Sequence, residues 1–139
     1  MQAMIMAGGK GTRLASITKN VPKPMVPTNG KPLLEWQIEN LKESGIDNVI
    51  LVVGYLGNVI RDHFGNGEKF GVKISYYNEE IPLGTAGALA ELRDRMEENF
   101  ILLFGDLYVN VDFSKFMRFH TEKDALVTLF AHPNSHPYD

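Results

Sequence analysis

The 139-residue sequence contains no cysteine and has no strong excess of either charge. The absence of cysteine excludes a disulfide framework, a catalytic thiolate and a zinc–sulfur site. The 14 basic and 17 acidic side chains give a formal net charge of −3, which argues against broad binding to nucleic acid or to anionic membranes. No apolar run has the length of a membrane span, and the first residues lack the basic region of a signal peptide. We therefore expect a cytoplasmic protein that binds neither nucleic acid nor membrane.

A cluster of glycines directly follows the first apolar run of the chain. Gly8, Gly9 and Gly11 fall within four positions, so the backbone can turn tightly and present its N–H groups to an anion. Arg13 and Lys23 add positive charge to the same connection. This combination predicts a site for the phosphates of a nucleotide.

Two common phosphate loops do not have this spacing. A Walker loop ends in Gly-Lys-Ser/Thr and leads straight into a helix. Here Lys10 is followed by Gly11, and the prolines of Val21-Pro22-Lys23-Pro24 oppose a helix. The dinucleotide fingerprint requires a third glycine where Leu14 stands. The glycine loop is therefore of a third kind.

Short apolar runs alternate with helical patterns along the chain. Strands are predicted over residues 2–6, 49–53, 72–77, 100–104 and 125–131. Apolar residues at helical spacing predict helices around 34–41, 58–64, 89–96 and 113–120, with Asp112 as the N-cap of the last. The alternation predicts an α/β fold, a three-layer α/β/α sandwich with a mostly parallel sheet, in one domain over residues 1–139.

Four loops are expected to meet at the carboxyl edge of this sheet, where open α/β sheets bind ligands. They are the glycine loop, Gly54–Gly57, Asn78–Gly84 and the Gly105-Asp106 pair. Asp106 directly follows an apolar strand, where an unpaired carboxylate is costly unless it meets a ligand or a turn donor. A metal ligand and a structural turn residue are both open interpretations of Asp106.

Six segments occur in the order used by the sugar-1-phosphate nucleotidylyltransferases: GGKGTRL, PKPMVP, NGKPLLEWQIE, VGYLG, PLGTAGAL and FGD. The sequence resembles this family over essentially its whole length, which implies its Rossmann-like nucleotide-diphospho-sugar transferase fold. PLGTAGAL is most similar to the guanylyltransferases, and the ending HPNSHPYD is similar to the heptose-1-phosphate members. The resemblance implies transfer of a nucleotidyl group from a nucleoside triphosphate, expected to be GTP, to a mannose- or heptose-type sugar 1-phosphate, with release of pyrophosphate.

The resemblance also implies roles for particular residues. Arg13 and Lys23 match the catalytic basic pair of the family, and Asp106 matches its metal-binding aspartate, with Mg²⁺ as the cofactor. Residues expected to contact the nucleotide are Ala7, Gly8, Gly9, Gly11, Thr12, Arg13, Glu79, Gly84 and Thr85. For Glu79, an ordinary loop acid is the alternative. For the Gly84–Gly87 segment, the alternative is tight helix–sheet packing.

Family members are longer and continue with a Glu-Lys-Pro sugar-phosphate segment and a second metal-binding aspartate, neither of which this sequence contains. We therefore expect residues 1–139 to be the nucleotide-binding N-terminal part of a transferase, with a truncated fold whose incomplete sheet depends on self-association as a homo-oligomer. One alternative function is a noncatalytic domain that binds a nucleotide or sugar nucleotide. Another is a cytidylyl-, uridylyl- or thymidylyltransferase of the same fold.

Overall fold

The computed structural model of the protein describes residues 1–9, 20–81 and 83–131. In these ranges the strands are β1 Gln2–Met6, β2 Pro27–Thr28, β3 Lys31–Pro32, β4 Asn48–Val53, β5 Lys73–Asn78 and β6 Phe100–Phe104. The α-helices are α1 Leu33–Glu43, α2 Gly57–Phe64, α3 Gly84–Glu91 and α4 Phe113–Glu122. None of these helices has the length and apolar character needed to cross a membrane.

Four strands form one parallel sheet in the order β5-β4-β1-β6. β1 lies between β4 and β6, and Gln2 is level with both Asn48 and Phe100. The chain moves outward from β1 to β4 and β5, then crosses back to place β6 on the other side of β1. The order therefore reverses at β1, and the crevice that this reversal opens lies at the carboxyl end of the strand.

Each face of the sheet is covered by a different set of helices. Ile5 and Leu51 belong to the larger buried cluster, which includes apolar residues of α1, α2 and α4. Met4 and Ile50 belong to a smaller cluster that includes Ala88 of α3. Because both faces are covered, β4 is a continuous apolar run rather than an alternating one. The prediction of a three-layer sandwich around a parallel sheet is confirmed.

Helix α4 begins at the predicted N-cap. The Asp112 Oδ1 atom accepts a hydrogen bond of 3.1 Å from the Lys115 backbone N–H and another of 2.5 Å from the Ser114 hydroxyl. The hydrogen bond from Ser114, together with that from Lys115, lowers the pKa of Asp112 from 3.8 to about 2. The cap therefore pairs a backbone donor that the helix itself cannot pair.

Helix α3 differs from the prediction at both ends. It begins at Gly84 and ends at Glu91, and a 3₁₀ turn over Arg93–Arg95 follows it. Leu92 and Met96 still contact the smaller cluster, so the apolar spacing identified the packing surface correctly. The apolar spacing could not locate the helix end. The reason is that residues of the 3₁₀ turn region after α3 pack on the smaller cluster in the same way as residues of the helix.

The predicted strand over residues 125–131 is wrong. This segment has no regular secondary structure, and Leu126 is fully exposed while Leu129 is 82% exposed. An apolar run of strand length forms a strand only when a neighbouring strand supplies hydrogen-bond partners. Within the described ranges, β6 pairs only with β1 and no strand pairs with residues 125–131.

The connection after β1 contains short structured pieces in its described part. Residues Lys23–Met25 form a single 3₁₀ turn, and β2 and β3 pair as an antiparallel hairpin around Asn29 and Gly30. The prolines of this stretch exclude an α-helix, as expected, but they permit a compact turn. Pro24 and Met25 are buried, so this turn is packed against the sheet rather than exposed.

Candidate active site

The loops after β1 and β4 touch each other through glycine backbone. A Cβ atom on Gly8 would lie 3.2 Å from the backbone nitrogen of Gly54, and one on Gly54 would lie 3.1 Å from the carbonyl oxygen of Gly8. Both distances are shorter than an ordinary van der Waals contact. The absence of a side chain at both positions therefore allows two loops to meet at the carboxyl edge of the sheet.

The loops after β5 and β6 join the same edge through backbone hydrogen bonds. The Glu79 N–H donates to the Val53 carbonyl at 2.8 Å, and the Gly105 N–H donates to the Met6 carbonyl at 2.9 Å. A Cβ on Gly105 would lie 3.1 Å from Cγ of Pro24, so the 3₁₀ turn after β1 packs directly on the turn after β6. The predicted convergence of four loops on one edge is observed.

This packing brings Lys23 and Asp106 together. The Lys23 Nζ atom donates a hydrogen bond of 2.7 Å to Oδ2 of Asp106, and the two side chains are 35% and 42% exposed. An ion pair this exposed contributes little to stability, because water screens it and ordering the side chains has an entropic cost. Other charged groups can therefore replace either partner.

The donor set around Asp106 matches one class of metal site. Over residues 1–9, 20–81 and 83–131, no group of three or more histidine, aspartate or glutamate side chains could hold a metal ion. A closed protein cage is thus not formed by these residues. Mg²⁺ commonly binds one or two carboxylates, several waters and the phosphates of a substrate. A single exposed carboxylate has the chemistry to share Mg²⁺ with a nucleotide, and the metal role of Asp106 stays a prediction.

Glu79 faces the glycine loop from the end of β5. Its Oε2 atom lies 3.4 Å from the position of a Cβ on Gly8, and its Oε1 atom accepts a hydrogen bond of 3.0 Å from the Leu83 N–H. Burial, followed by the nearby Glu91 and Glu79 carboxylates, raises the pKa of the Tyr77 hydroxyl. The Glu79 carboxylate therefore places negative charge and acceptor oxygens on this side of the crevice.

The two predicted residues of α3 lie at its first turn. Gly84 has a φ of +68°, and a Cβ there would meet no atom of the described residues within 4 Å, whereas a Cβ on Gly87 would lie 2.5 Å from Cβ of Leu83. Gly84 is thus required by its backbone conformation, and Gly87 by close packing. Thr85 is half-buried between them. The close neighbour of Gly87 is Leu83, the N-cap of its own helix, and not the sheet, so the helix–sheet packing alternative and the predicted nucleotide contacts of Gly84 and Thr85 all stay predictions.

Several predicted site residues fall outside the described part of the chain. They are Gly11, Thr12 and Arg13, within residues 10–19. Of the other predicted residues, Ala7, Gly8 and Gly9 lie in the loop directly after β1, with Ala7 buried. The nucleotide-contact roles of these residues stay predictions.

The sequence analysis did not identify a row of polar side chains on α1 and its C-cap. Gln37 Nε2 donates to the carbonyls of Phe104, at 2.8 Å, and of Leu107. Asn40 Nδ2 donates to the Val109 carbonyl at 2.9 Å, and Ser44 Oγ accepts from the Phe113 N–H at 3.1 Å. The sequence did contain a pattern that could have identified them, because polar residues at positions i, i+3 and i+7 share one helix face. Their partners could be identified only from the tertiary structure.

The fold and this edge define a class: an open parallel α/β domain with a glycine-lined site at its topological switch point. A family model described as nucleotidyl transferase matches residues 2–139. The chain belongs to the nucleotidyl transferase family.

Curated relatives of this chain are sugar-phosphate nucleotidyltransferases. D-glycero-alpha-D-manno-heptose 1-phosphate guanylyltransferase of Campylobacter jejuni is 48% identical over 115 residues, which cover 83% of this chain and 52% of the relative. UTP–glucose-1-phosphate uridylyltransferase of Synechocystis is 36% identical over 141 residues, covering 93% of this chain and 36% of the relative. The chain thus spans about half or less of the length of these relatives.

A solved structure supports the fold assignment. HddC from Yersinia pseudotuberculosis, complexed with GMP-PN, matches with a TM-score of 0.76 and 36% sequence identity, covering 86% of this chain and 53% of that chain. The predicted Rossmann-like nucleotidyltransferase fold is confirmed, and the match covers about half of the HddC chain.

Proposed function

We propose that this chain carries the nucleotide-binding half of a sugar-1-phosphate nucleotidylyltransferase that uses GTP and a mannose- or heptose-type sugar 1-phosphate. The observation that carries the proposal is the 2.7 Å contact of Lys23 with Asp106 beside the Gly8–Gly54 contact. The identity to a heptose-1-phosphate guanylyltransferase supports the choice of nucleotide and sugar. The cytoplasm is the location we propose.

The reaction needs charge compensation more than acid–base chemistry. The phosphate of the sugar attacks the α-phosphorus of the triphosphate, the bond from that phosphorus to the bridging oxygen of pyrophosphate breaks, and pyrophosphate leaves. The attacking phosphate is already ionised, so no general base is required. Mutual repulsion of the two anions is a large part of the barrier, and fixed positive charge at the transferred phosphate lowers it.

This chain offers groups for that task, and two of them, Lys23 and Asp106, lie together at one edge of the sheet. Lys23 supplies a mobile ammonium that can leave Asp106 for a phosphate oxygen, and Arg13 has the planar fork suited to two phosphate oxygens. The backbone N–H groups after β1 are donors of the kind that bind phosphates. Asp106 would hold Mg²⁺, which when bound withdraws charge from the phosphates and orients them.

Recognition of guanine is assigned to Glu79. A carboxylate can accept hydrogen bonds from both the N1–H and the exocyclic amine of guanine, whereas adenine presents an acceptor at N1. A mismatched base would leave a desolvated acceptor unpaired, at a cost of about 1–3 kcal/mol. The position of Glu79 Oε2 against the Gly8 loop supports this assignment.

The first test is competition binding with GTP, ATP, UTP and dTTP, each with Mg²⁺. We expect the tightest binding for GTP, and loss of this preference in Glu79→Ala. The matched control is Glu80→Ala, which removes the neighbouring exposed acid. Tightest binding of UTP or dTTP would replace the guanylyl assignment by the uridylyl or thymidylyl alternative.

The second test separates transfer from binding alone. Pyrophosphate release is measured with GTP, Mg²⁺ and either mannose 1-phosphate or a heptose 1-phosphate. Release that requires both the sugar phosphate and Mg²⁺ is expected for the transferase. GTP binding without release by a longer protein that contains this chain would favour the noncatalytic nucleotide-binding alternative.

A further inference from the structure

We propose that Gln37 is a positioning residue that holds the Asp106 carboxylate in place for the metal, through two backbone carbonyls of the turn after β6. The metal role of Asp106 belongs to the proposed function, on which this inference rests. Gln37 itself lies on α1 and is only 3% exposed, so it acts through the turn and not by contact with a substrate.

The two carbonyls held by Gln37 flank the Asp106 turn. Its Nε2 atom donates to the carbonyl oxygen of Phe104 at 2.8 Å and also to that of Leu107. Because both partners are acceptors, only the NH₂ group of the amide can face them, and its orientation is determined. From the other side of the turn, the Gly105 N–H is bound to the Met6 carbonyl at 2.9 Å. The turn that carries Asp106 is therefore held between α1 and β1.

Gln37 makes these bonds at a cost. Its Oε1 atom is buried and has no hydrogen-bond partner among the described residues. An apolar side chain of the same length would remove that unpaired acceptor but would leave the two carbonyls without their donor. These effects oppose each other in the free energy of unfolding. The amide therefore contributes more to the position of the turn than to net stability.

The other members of the polar row act further from the metal position. Asn40 binds the carbonyl of Val109, and Ser44 binds the N–H of Phe113 at the start of α4. Gln37 is the member whose bonds bracket Asp106. A metal-binding carboxylate must be held to a fraction of an ångström, and groups that orient such ligands typically change metal affinity by about 10–100-fold when removed.

The test compares two buried glutamines. Gln37→Met keeps the length of the side chain and removes both donated bonds. The matched control is Gln2→Met. Gln2 is 4% exposed and also holds backbone on both sides of a turn, donating to the Arg95 carbonyl at 3.1 Å and accepting from the Glu97 N–H at 2.9 Å. Its bonds lie before β6, at the opposite edge of the sheet.

Two measurements are made on each variant. The first is GTP affinity by calorimetry across a Mg²⁺ titration. Gln37→Met should need about tenfold more Mg²⁺, or more, for half-maximal enhancement of GTP binding, whereas Gln2→Met should follow the wild type. The second is amide hydrogen exchange without ligand. In Gln37→Met the Gly105 and Leu107 amides should exchange faster, while in Gln2→Met the increase should be confined to the 95–97 turn.

The outcomes distinguish the proposal from the function on which it rests. Wild-type Mg²⁺ dependence in a folded Gln37→Met overturns the proposal, even if the amide hydrogens exchange faster. The two hydrogen bonds of Gln37 would then have only a structural role. If Gln37→Met does not fold, Gln37→Leu replaces it. Failure of both to fold beside a folded Gln2→Met also overturns the proposal. If the wild type itself shows no Mg²⁺-linked GTP binding, the proposed function fails and the proposal falls with it.

Discussion

The Lys23 ammonium donates a hydrogen bond of 2.7 Å to the Asp106 carboxylate, 83 residues further along the chain. The two groups have opposite affinities, since the ammonium attracts phosphate and the carboxylate attracts a cation. As a pair they satisfy each other. A magnesium–nucleotide complex offers a partner to each group. The ion pair can therefore be replaced by two attractive interactions, one between the ammonium and a phosphate and one between the carboxylate and Mg²⁺.

Replacement of Lys23 tests this exchange. In Lys23→Met, Mg²⁺ should bind Asp106 more tightly in the absence of nucleotide, because its competitor is gone, while GTP should bind more weakly. Calorimetry with Mg²⁺ alone and then with GTP measures both effects. The control is Lys31→Met, which removes a lysine that pairs with Glu39 and lies over the Trp36 ring. Equal shifts in the two variants would mean that only net charge matters.

Two glycines of the site should respond differently to alanine. A methyl group on Gly54 would meet the Gly8 carbonyl at 3.1 Å, whereas one on Gly9 would meet no atom of the described residues within 4 Å. Gly54→Ala should therefore lower the free energy of unfolding by about 1–3 kcal/mol. Gly9→Ala should keep wild-type stability and bind GTP several-fold more weakly.

Thermal melts and GTP titrations check both variants. Wild-type stability in Gly54→Ala would contradict the close contact of the two loops. Wild-type GTP affinity in Gly9→Ala would mean that the nucleotide does not approach this backbone.

The N-cap of α4 predicts a dependence of stability on pH. The folded protein holds the pKa of Asp112 at about 2, below its ordinary value of 3.8. The native state thus favours the ionised form, and its contribution is complete above about pH 4 and is lost as the pH falls toward 2. Melts of wild type and Asp112→Asn across this range measure the difference. Asn retains a capping oxygen but does not titrate, so parallel pH curves would contradict this assignment.

The glycine loop predicts a catalytic role for Arg13. Its position lies outside the described residues, so kinetics rather than geometry must test its role. In a full-length protein that contains this chain, Arg13→Ala should reduce pyrophosphate release by about 10²–10³-fold with little change in melting temperature. Arg13→Lys should recover only part of the loss, since an ammonium cannot form two parallel bonds. Wild-type turnover in Arg13→Ala would remove the catalytic role.

The exposed apolar segment at 125–131 predicts self-association. Leu126 is fully exposed and Leu129 is 82% exposed, and such surface is usually covered by another surface. Sedimentation of this chain should show association that increases with concentration and that weakens in the double variant Leu126→Ser, Leu129→Ser. The matched control substitutes the exposed polar residues Lys123 and Glu122 with serine. A monomer at all concentrations would contradict the expected homo-oligomer.

Much of the fold could be predicted because it depends on local rules. β1 and β6 begin and end at the predicted residues, since period and turn chemistry are properties of short segments. The predicted strand at 125–131 fails for the opposite reason. Its apolar run meets the local criterion, but a strand also requires a partner, and within the described ranges none pairs with it.

The amino-acid sequence by itself determined the helix and strand periods, the cap at Asp112 and the glycines that leave space at the end of β1. Only the tertiary structure decided that Lys23 contacts Asp106 and that Gln37 of α1 binds the turn that carries Asp106. The reason is physical. Local structure follows from steric and hydrogen-bonding preferences within a few residues, whereas these contacts follow from the order of the strands, which brings distant loops to one edge of the sheet.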